Sequence, residues 1–544
     1  MAFVDDILSD VQGNVLKGFD KPHMRLIFFR FGNDKEVTKK WLSKLARRVP
    51  STRDLIKAAK AADERKSSDP LYRRQDVWIH VSLSKSGIEK LDRQVPPSAW
   101  VYEHDGERSY VIEKNPDVTR HPFTEGMKSR AVSELGDIED SAPENWIEPF
   151  RSADTCVVPL KGTEIDALMI VASDQQDDGD AYAMRLIEEA TTHIGAIYLS
   201  LQIGTAFQNE AGRTIEHFGF RDGMSQPLIK GVDDERIQRN RTINKDEFDP
   251  TDFILHGLEG NFKWANNGSF LVFRRLSQNV PAFWDFMTKE SEKLKSKGVD
   301  LSPDDLAAKF VGRWKSGAPL ALHPKHDPVD PIDPRDPKDT YNDFVYVRNI
   351  RQIGSIKPDA VLESREEGDL NDPKGEVTPR FSHIRKVNPR DDGRSRDGPH
   401  ANLRENRKHR ILRRVITYGV PWAKEPNSKE ADEDIRGLLF MCYQRDLEQQ
   451  FEHIQKLWIN NPEFPLEDHV DVGGVKLTIR HGLDPIAGHP RKGVPLNLYC
   501  RTDGSVANYL QVSMSQWVTT RGGEYFFSPS ISALKGLSKS DGSS

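Results

Sequence analysis

The feature that most constrains this chain is a pattern of short apolar runs, each followed by a segment with helical spacing, that occurs twice. Residues 24–32 (MRLIFFRFG) form a continuous apolar run of the length a buried strand requires. Residues 35–49 follow with Val37, Trp41, Leu42 and Leu45 on one helical face. Residues 77–82 (VWIHVS) alternate in period two, and 84–92 restart a helix. Strand-like runs recur at 155–159 and 167–172, 180–191 is amphipathic, and 194–203 is apolar again. In the second half, 268–274 (GSFLVFR) is similar in composition to 24–30, and a helix follows over 278–295. Strands are expected at 411–417 and 437–443 (GLLFMCY), with a helix at 446–458. The pattern predicts two α+β halves with antiparallel pairing. Alternating strands and helices also fit a parallel α/β sheet, although no GxGxxG, P-loop or GxSxG stands at any strand end.

Composition narrows the function classes. A chain of 544 residues exceeds one simple core; at about 150 residues per domain it would hold three or four, and two elaborated domains fit equally. The net charge of −6 (78 − 84) argues against a chain built to coat nucleic acid. Cys156, Cys442 and Cys500 lie far apart. They exclude a disulfide scaffold, a four-cysteine zinc site, a cysteine-ligated iron–sulfur cluster and a CxxCH haem attachment, and they are compatible with a reducing compartment. The first residues, MAFVDDILSDVQGNVLKGF, carry acids where a secretory leader needs lysines, and no run approaches about 18 apolar residues. The expectation is a cytoplasmic protein without a membrane span, with export by a route lacking a classical leader left open.

Two stretches break the pattern. Between 323 and 345, Asp–Pro recurs at Asp327, Asp330, Asp333 and Asp336, which predicts an extended loop. Residues 380–414 hold twelve Lys/Arg and four Asp/Glu, a local +8 (12 − 4). Such a run reads as a solvated loop, an anion site or a nucleic-acid surface. Its single aromatic, Phe381, weighs against the last.

Three segments could carry chemistry. In HFGFRDGMSQP (217–227), two glycines allow a tight turn with Asp222 at its apex, although such a turn is often only a turn. In FSHIRKVNPR (381–390), His383 lies among Arg385, Lys386 and Arg390. A histidine there is a surface or core residue unless a metal displaces its proton, and the cations suit a ligand bearing carboxylates. In HRILRRVITYG (409–419), Arg413 and Arg414 interrupt an apolar strand, so one of them must face inward and find a partner.

This combination resembles the dye-decolorizing peroxidases, haem enzymes unrelated in fold to the plant-type peroxidases, and its long loops resemble the larger, fungal-type branch. The similarity runs nearly end to end. It passes through DVQGNVLKGF (10–19), GFRDGMSQP (219–227), NGSFLVFRRL (267–276), AFWDFM (282–287), GRWKSGAPL (312–320), YNDF (341–344), HIRKVNPRD (383–391), ILRRVITYG (411–419), GLLFMCYQ (437–444), GLDPIAG (482–488) and RGGEYFFSPSISAL (521–534). The resemblance implies two ferredoxin-like halves of the dimeric α+β barrel type with long loop insertions. Residues 1–250 would carry the distal GFRDG motif, and 251–544 the haem ligand and distal arginine. It implies non-covalent haem b, held by His383 on the iron, with Arg385 and Arg390 on the propionates and Asp484 accepting the histidine Nδ1–H. Asp222 would be the distal acid–base group and Arg413 the distal arginine, under a lid of Leu438 and Phe440. The implied reaction reduces hydrogen peroxide and oxidises dyes, phenolics or similar donors in one-electron steps through a ferryl intermediate. No nucleic acid or membrane takes part, and the sequence does not set the oligomeric state. A haem-binding or iron-releasing protein on the same fold is the alternative.

Bulky donors are expected to react at the surface by electron hopping through Tyr418 or Trp422. Tyr418 lies five residues beyond Arg413 on one strand, so the two side chains should leave opposite faces, with Tyr418 toward the outside. Two positions depart from the family pattern. Residues 378–382 read TPRFS where a Cys–Pro is frequent, and Val415 stands where some branches carry Asn.

Overall fold

The computed structural model describes residues 2–69, 75–97, 100–104, 107–111, 121–151, 164–234, 247–258, 260–328, 341–342, 344–347, 372–393, 399–422, 435–465, 468–472, 475–489, 495–502, 506–513 and 515–538. The strand expected at 155–159 and most of the Asp–Pro stretch lie outside these residues.

The first repeat comprises β1 (His23–Arg30), α1 (Lys35–Leu45), α2 (Thr52–Ser68), β2 (Val77–Leu83), β3 (Ala167–Ser173), α3 (Gln176–Ile194) and β4 (Ile197–Thr205). The second comprises β5 (Ser269–Gln278), α4 (Val280–Ser296), α5 (Pro303–Val311), α6 (His383–Val387), β6 (Leu412–Arg413), β7 (Ile416–Gly419), β8 (Arg436–Gln444), α7 and β9 (Val518–Ser528). Helix α7 is made of the turns Leu447–Glu452 and Ile454–Ile459, wound more widely than an α-helix. The strands pair in the order β6/β7–β8–β5–β9–β2–β3–β1–β4. Within each repeat the order is second, third, first, fourth, the arrangement of a ferredoxin-like βαββαβ unit. Every ladder in this sheet is antiparallel, with Leu26 opposite Ile170, Val272 opposite Cys442, and Phe527 opposite Leu83 where the repeats join. The parallel option is thereby excluded.

The sheet curls. Phe28 on β1 stands 5.2 Å from Phe273 on β5 although three strands separate them in the ladder, and Phe526 on β9 lies 6.3 Å from Phe28. Aromatic rings from both repeats thus share one interior, which explains why β3 (ALMIVAS) is buried along its whole length and β1 (HMRLIFFR) is buried along all but its end residues, with Arg25 paired to Asp180. At the far ends, Thr417 on β7 donates a hydrogen bond to the Thr205 carbonyl on β4, bringing the edges together without a ladder between them.

The barrel corrects one expectation. Arg413 and Tyr418 do leave opposite faces, but the Tyr418 face is the interior. Leu412, Ile416 and Tyr418 join the core, and the Arg275 guanidinium lies 4.2 Å above the Tyr418 ring. Tyr418 is 6% exposed, so it does not reach the outside.

Candidate active site

The outer face of the second repeat's sheet forms one wall of a cavity. Arg274, Leu276 and Gln278 of β5 and Leu438 and Phe440 of β8 line it at alternate positions, together with Val518 and Thr520 of β9. Helix α7 contributes Phe451, Ile454, Gln455 and Ile459, and α6 contributes His383, Ile384 and Val387. The loop carrying Asp222 and the strand carrying Arg413 complete the lining. Asp222, Arg413, His383, Arg390, Leu438 and Phe440 are thus brought to one cavity.

The Asp222 loop is shaped by its own side chains. The Glu216 carboxylate accepts hydrogen bonds from Phe218 N (2.9 Å), Phe220 N (2.9 Å) and Gln278 Nε2 (2.7 Å), which pins the turn to β5. Gly219 (φ +96°) and Gly223 (φ +73°) take the left-handed conformations that reverse the chain on either side of Asp222. Gln226 then clasps the neighbouring strand, donating to Arg413 O (3.0 Å) and accepting from Arg413 N (3.2 Å). Arg413 donates through Nη1 to Asp222 Oδ1 (3.3 Å) and through Nη2 to Ser225 O (3.1 Å). Both partners keep about a quarter of their side-chain surface open, so the pair can still meet a small molecule in the cavity.

His383 opens helix α6. Its Nδ1 donates to Asp484 Oδ2 at 2.8 Å, and Asp484 Oδ1 accepts from Ile486 N (2.8 Å) and Ala487 N (3.0 Å). A carboxylate only accepts, so the proton sits on Nδ1 and the Nε2 lone pair is left for a metal. Asp484 is fully buried, which fixes the ring's orientation. Helix α6 is held close to α5 by Gly312, whose φ is +92° and where a Cβ would come within 2.4 Å of Ile384 Cγ1. One imidazole nitrogen, a carboxylate behind it and a wide apolar lining suit an iron porphyrin.

Arg385 is not a propionate ligand. It is fully buried away from the cavity and bonds Asp392 (2.6 Å and 2.8 Å), Asp372 Oδ2 (3.3 Å), Thr378 O (2.8 Å) and Asp372 O (2.9 Å). Its charge is neutralised within the protein. Among the described residues of the 380–414 run, Arg380, Arg385, Arg390 and Arg410 are buried rather than solvated, while Arg404 and Lys408 are exposed. Trp422 is half-buried against the second core cluster.

Fold and cavity together define a class: an α+β barrel protein whose cavity holds an imidazole backed by a carboxylate and a separate acid–arginine pair, an arrangement that suits a peroxide-using haem enzyme. Residues 10–98 match the DyP dimeric alpha+beta barrel domain, and residues 218–471 match the C-terminal domain of Dyp-type peroxidases. An ancestral D-type dye decolorizing peroxidase is 30% identical, with a TM-score of 0.71 over 98% of this chain and 99% of that one. A DyP-type peroxidase of Anabaena is 28% identical, with a TM-score of 0.70 over 98% of this chain and 96% of that one. The dye-decolorizing peroxidase of Mycena epipterygia is 28% identical over 98% of this chain and 88% of that protein. The chain belongs to the dye-decolorizing peroxidase family.

Glu216 is a site residue that sequence reasoning missed. Burial pushes its carboxyl up to about 7, against the lowering effect of its three hydrogen bonds. A carboxyl raised on folding stabilises fully below its unfolded value near 4.5 and loses that contribution as pH rises through about 7. Part of its surface opens into the cavity, so the contribution is roughly 1–3 kcal/mol. Buried His80 and His217, lowered by desolvation to about 3 and about 4, act oppositely: their contribution is present above 6.5 and is lost as pH falls toward those values. Glu216→Gln should therefore flatten the fall in urea midpoint between pH 4.5 and 7 and leave the acid limb unchanged. An unaltered slope in that window would exclude this role.

Proposed function

We propose that the chain's peroxidase activity is carried by Asp222 and Arg413 acting on hydrogen peroxide over a non-covalent haem b held by His383. The observation that supports this best is the hydrogen-bonded Asp222–Arg413 pair in the same cavity as an imidazole whose Nδ1 is already committed to Asp484. Held by His383, a bound haem would supply the redox chemistry, two-electron reduction of peroxide and one-electron oxidation of donors. Asp222 takes the proton from one peroxide oxygen and delivers it to the other, so that water leaves. Arg413 stabilises the negative charge that grows on the departing oxygen. Asp484 keeps the His383 ring oriented and makes its Nε2 more electron-rich, which favours cleavage of the oxygen–oxygen bond. Leu438 and Phe440 narrow the wall beside the acid, admitting peroxide and excluding a dye.

In this reading, residues 1–250 supply the acid and residues 251–544 supply the ligand and the arginine. The iron-release alternative requires His383 but gives no role to the Asp222–Arg413 pair, which is why peroxidase chemistry is favoured. Haem-supplied protein should decolorise a bulky dye only when peroxide is added. Decolorisation without peroxide, or none with it, would oppose the reading.

Bulky donors would pass electrons inward from the surface. Tyr418 is buried beneath Arg275, so Trp422 is the better port. Trp422→Phe should lower dye turnover severalfold while a small phenol is oxidised at the wild-type rate, and Tyr418→Phe should retain both. A dye rate that falls only with Tyr418→Phe would reverse this assignment.

A further inference from the structure

Three residues of the Asp222 loop reach Arg413, and one of them, Gln226, holds its backbone. Arg413 ends β6, which pairs in the sheet on one side alone, with Leu412 opposite Tyr443 and Arg413 opposite Cys442 of β8. Alternate residues of an antiparallel pair turn their peptide groups toward the partner strand. Arg414 does so, its backbone N donating to Met441 O at 2.7 Å, which leaves the Arg413 N–H and carbonyl on the free edge. Gln226 fills that edge. Its side-chain amide accepts from Arg413 N (3.2 Å) and donates to Arg413 O (3.0 Å), as the peptide of a neighbouring strand would. The same carbonyl accepts from Arg414 Nη1 (2.9 Å), and the Arg414 guanidinium is itself fixed by the carbonyls of Asn14, Val15 and Leu16. The Arg413 backbone is thus gripped by β8, by Arg414 and by the acid's own loop.

The side-chain links are of a different kind. Through its guanidinium Arg413 reaches Asp222 Oδ1 at 3.3 Å and Ser225 O at 3.1 Å. The bond to Asp222 is the longest of the four that join loop and arginine, and a guanidinium that turns toward charge growing on a peroxide oxygen gives up part of it. The Gln226 bonds, made to the backbone, persist while the pair works. A displacement of about 1 Å near a reacting group can cost roughly 10²-fold in rate, so a link that keeps acid and arginine in register has a kinetic consequence.

We infer that Gln226 is a positioning residue for the peroxide reaction, its amide holding the Asp222 loop and the Arg413 strand at the spacing the acid–arginine pair requires. This rests on the peroxidase reading above. Gln226 is not among the residues lining the cavity, and no bond is made or broken at it. It acts through the pair.

The deciding experiment is the stopped-flow reaction of haem-loaded protein with hydrogen peroxide in two backgrounds. In the wild-type background Gln226→Leu should slow the reaction roughly 10- to 100-fold. In Asp222→Asn combined with Arg413→Leu the same substitution should cost less than about twofold, because a residue that acts through a pair has nothing to act on once the pair is gone. Haem content and the axial-imidazole spectrum should be unchanged by Gln226→Leu. Fluoride, a small anion that would take the place of peroxide, should bind the haem-loaded variant more weakly at equilibrium, since Arg413 no longer meets it squarely. A wild-type rate in Gln226→Leu, an equal fold-loss in both backgrounds, or an unchanged fluoride affinity overturns the inference. Gln226→Glu keeps the experiment decisive where Gln226→Leu does not fold. The ionised side chain only accepts and loses the bond to Arg413 O, whereas the protonated acid accepts and donates as the amide does. The rate of Gln226→Glu relative to wild type should therefore rise as pH falls through the titration of the introduced carboxyl, roughly 4.3 when unperturbed. A ratio that stays flat or falls toward acid overturns the positioning role. The parent reading is tested separately by the same samples: wild-type rates in Asp222→Asn and Arg413→Leu overturn that reading, while slow rates there with an additive Gln226→Leu overturn only the role of Gln226.

Discussion

Replacing Asp222 by Asn is expected to slow the first reaction with peroxide by roughly 10²–10⁴-fold while haem remains bound, the range for losing a positioned acid–base group. The carboxylate is held by Gly223 N at 2.6 Å and by Arg413 at 3.3 Å, and Asn can keep part of that geometry. What Asn cannot do is accept the proton from one oxygen and return it to the other. Arg413→Leu should cost about 10²–10³-fold in the same step, the scale for removing an electrostatic donor from a site that excludes water. Arg413 also orders its own neighbourhood through Ser225 O and the Gln226 clasp, of which only the side-chain part is lost in the variant. Stopped-flow absorbance on haem-loaded variants separates the two effects from cofactor loss. If both variants react with peroxide at the wild-type rate, Asp222 and Arg413 are not the acid–base and electrostatic groups.

His383→Ala is expected to have the largest effect on the cofactor. The substitution removes the only imidazole placed by Asp484 and leaves that buried carboxylate without its 2.8 Å partner. Haem loss should accelerate by at least about 100-fold, more than the 10–100-fold typical of removing a residue behind a metal ligand. Asp484→Ala should fall in that smaller range. Exogenous imidazole should restore the wild-type spectrum to His383→Ala, because the space vacated by the ring opens on the cavity. Wild-type haem retention without imidazole would place the ligand elsewhere.

The strands were legible because a strand covered on both faces is largely apolar, as residues 26–29 of β1 and 167–172 of β3 are. Helix α2 was missed because it buries only Thr52, Leu55 and Ala62 and has little apolar periodicity to read. Its start was nonetheless marked: Ser51 and Asp54 form a capping box that stands in the sequence as STRD. In the site, the alternation argument separated Arg413 from Arg414, but its premise that a buried arginine needs an anion did not hold for both. Arg414 is satisfied by the carbonyls of Asn14, Val15, Leu16 and Arg413, and burial lowers it to about 10.

The cations flanking His383 misled for a related reason. A local +8 does not reveal which guanidiniums are already paired, and Arg385 is locked by Asp372 and Asp392, the first of them thirteen residues upstream. Glu216 carried a weak signal, an acid beside the apolar HFGF. Its function depends on the turn folding back onto it, which spacing alone does not disclose. Tyr418 does lie on the face opposite Arg413, but that face was expected to be the outside and is the interior, because the sheet curls, a property of both repeats together.

The most direct test of the account is the absorption spectrum of haem-loaded wild-type protein before and after one equivalent of hydrogen peroxide, followed by titration with a one-electron donor. The account predicts an imidazole-ligated Soret band that changes within the mixing of peroxide in wild type, changes far more slowly in Asp222→Asn, and returns after two equivalents of donor. A bound haem whose spectrum is indifferent to peroxide, or one that responds equally fast without Asp222 and Arg413, would contradict it.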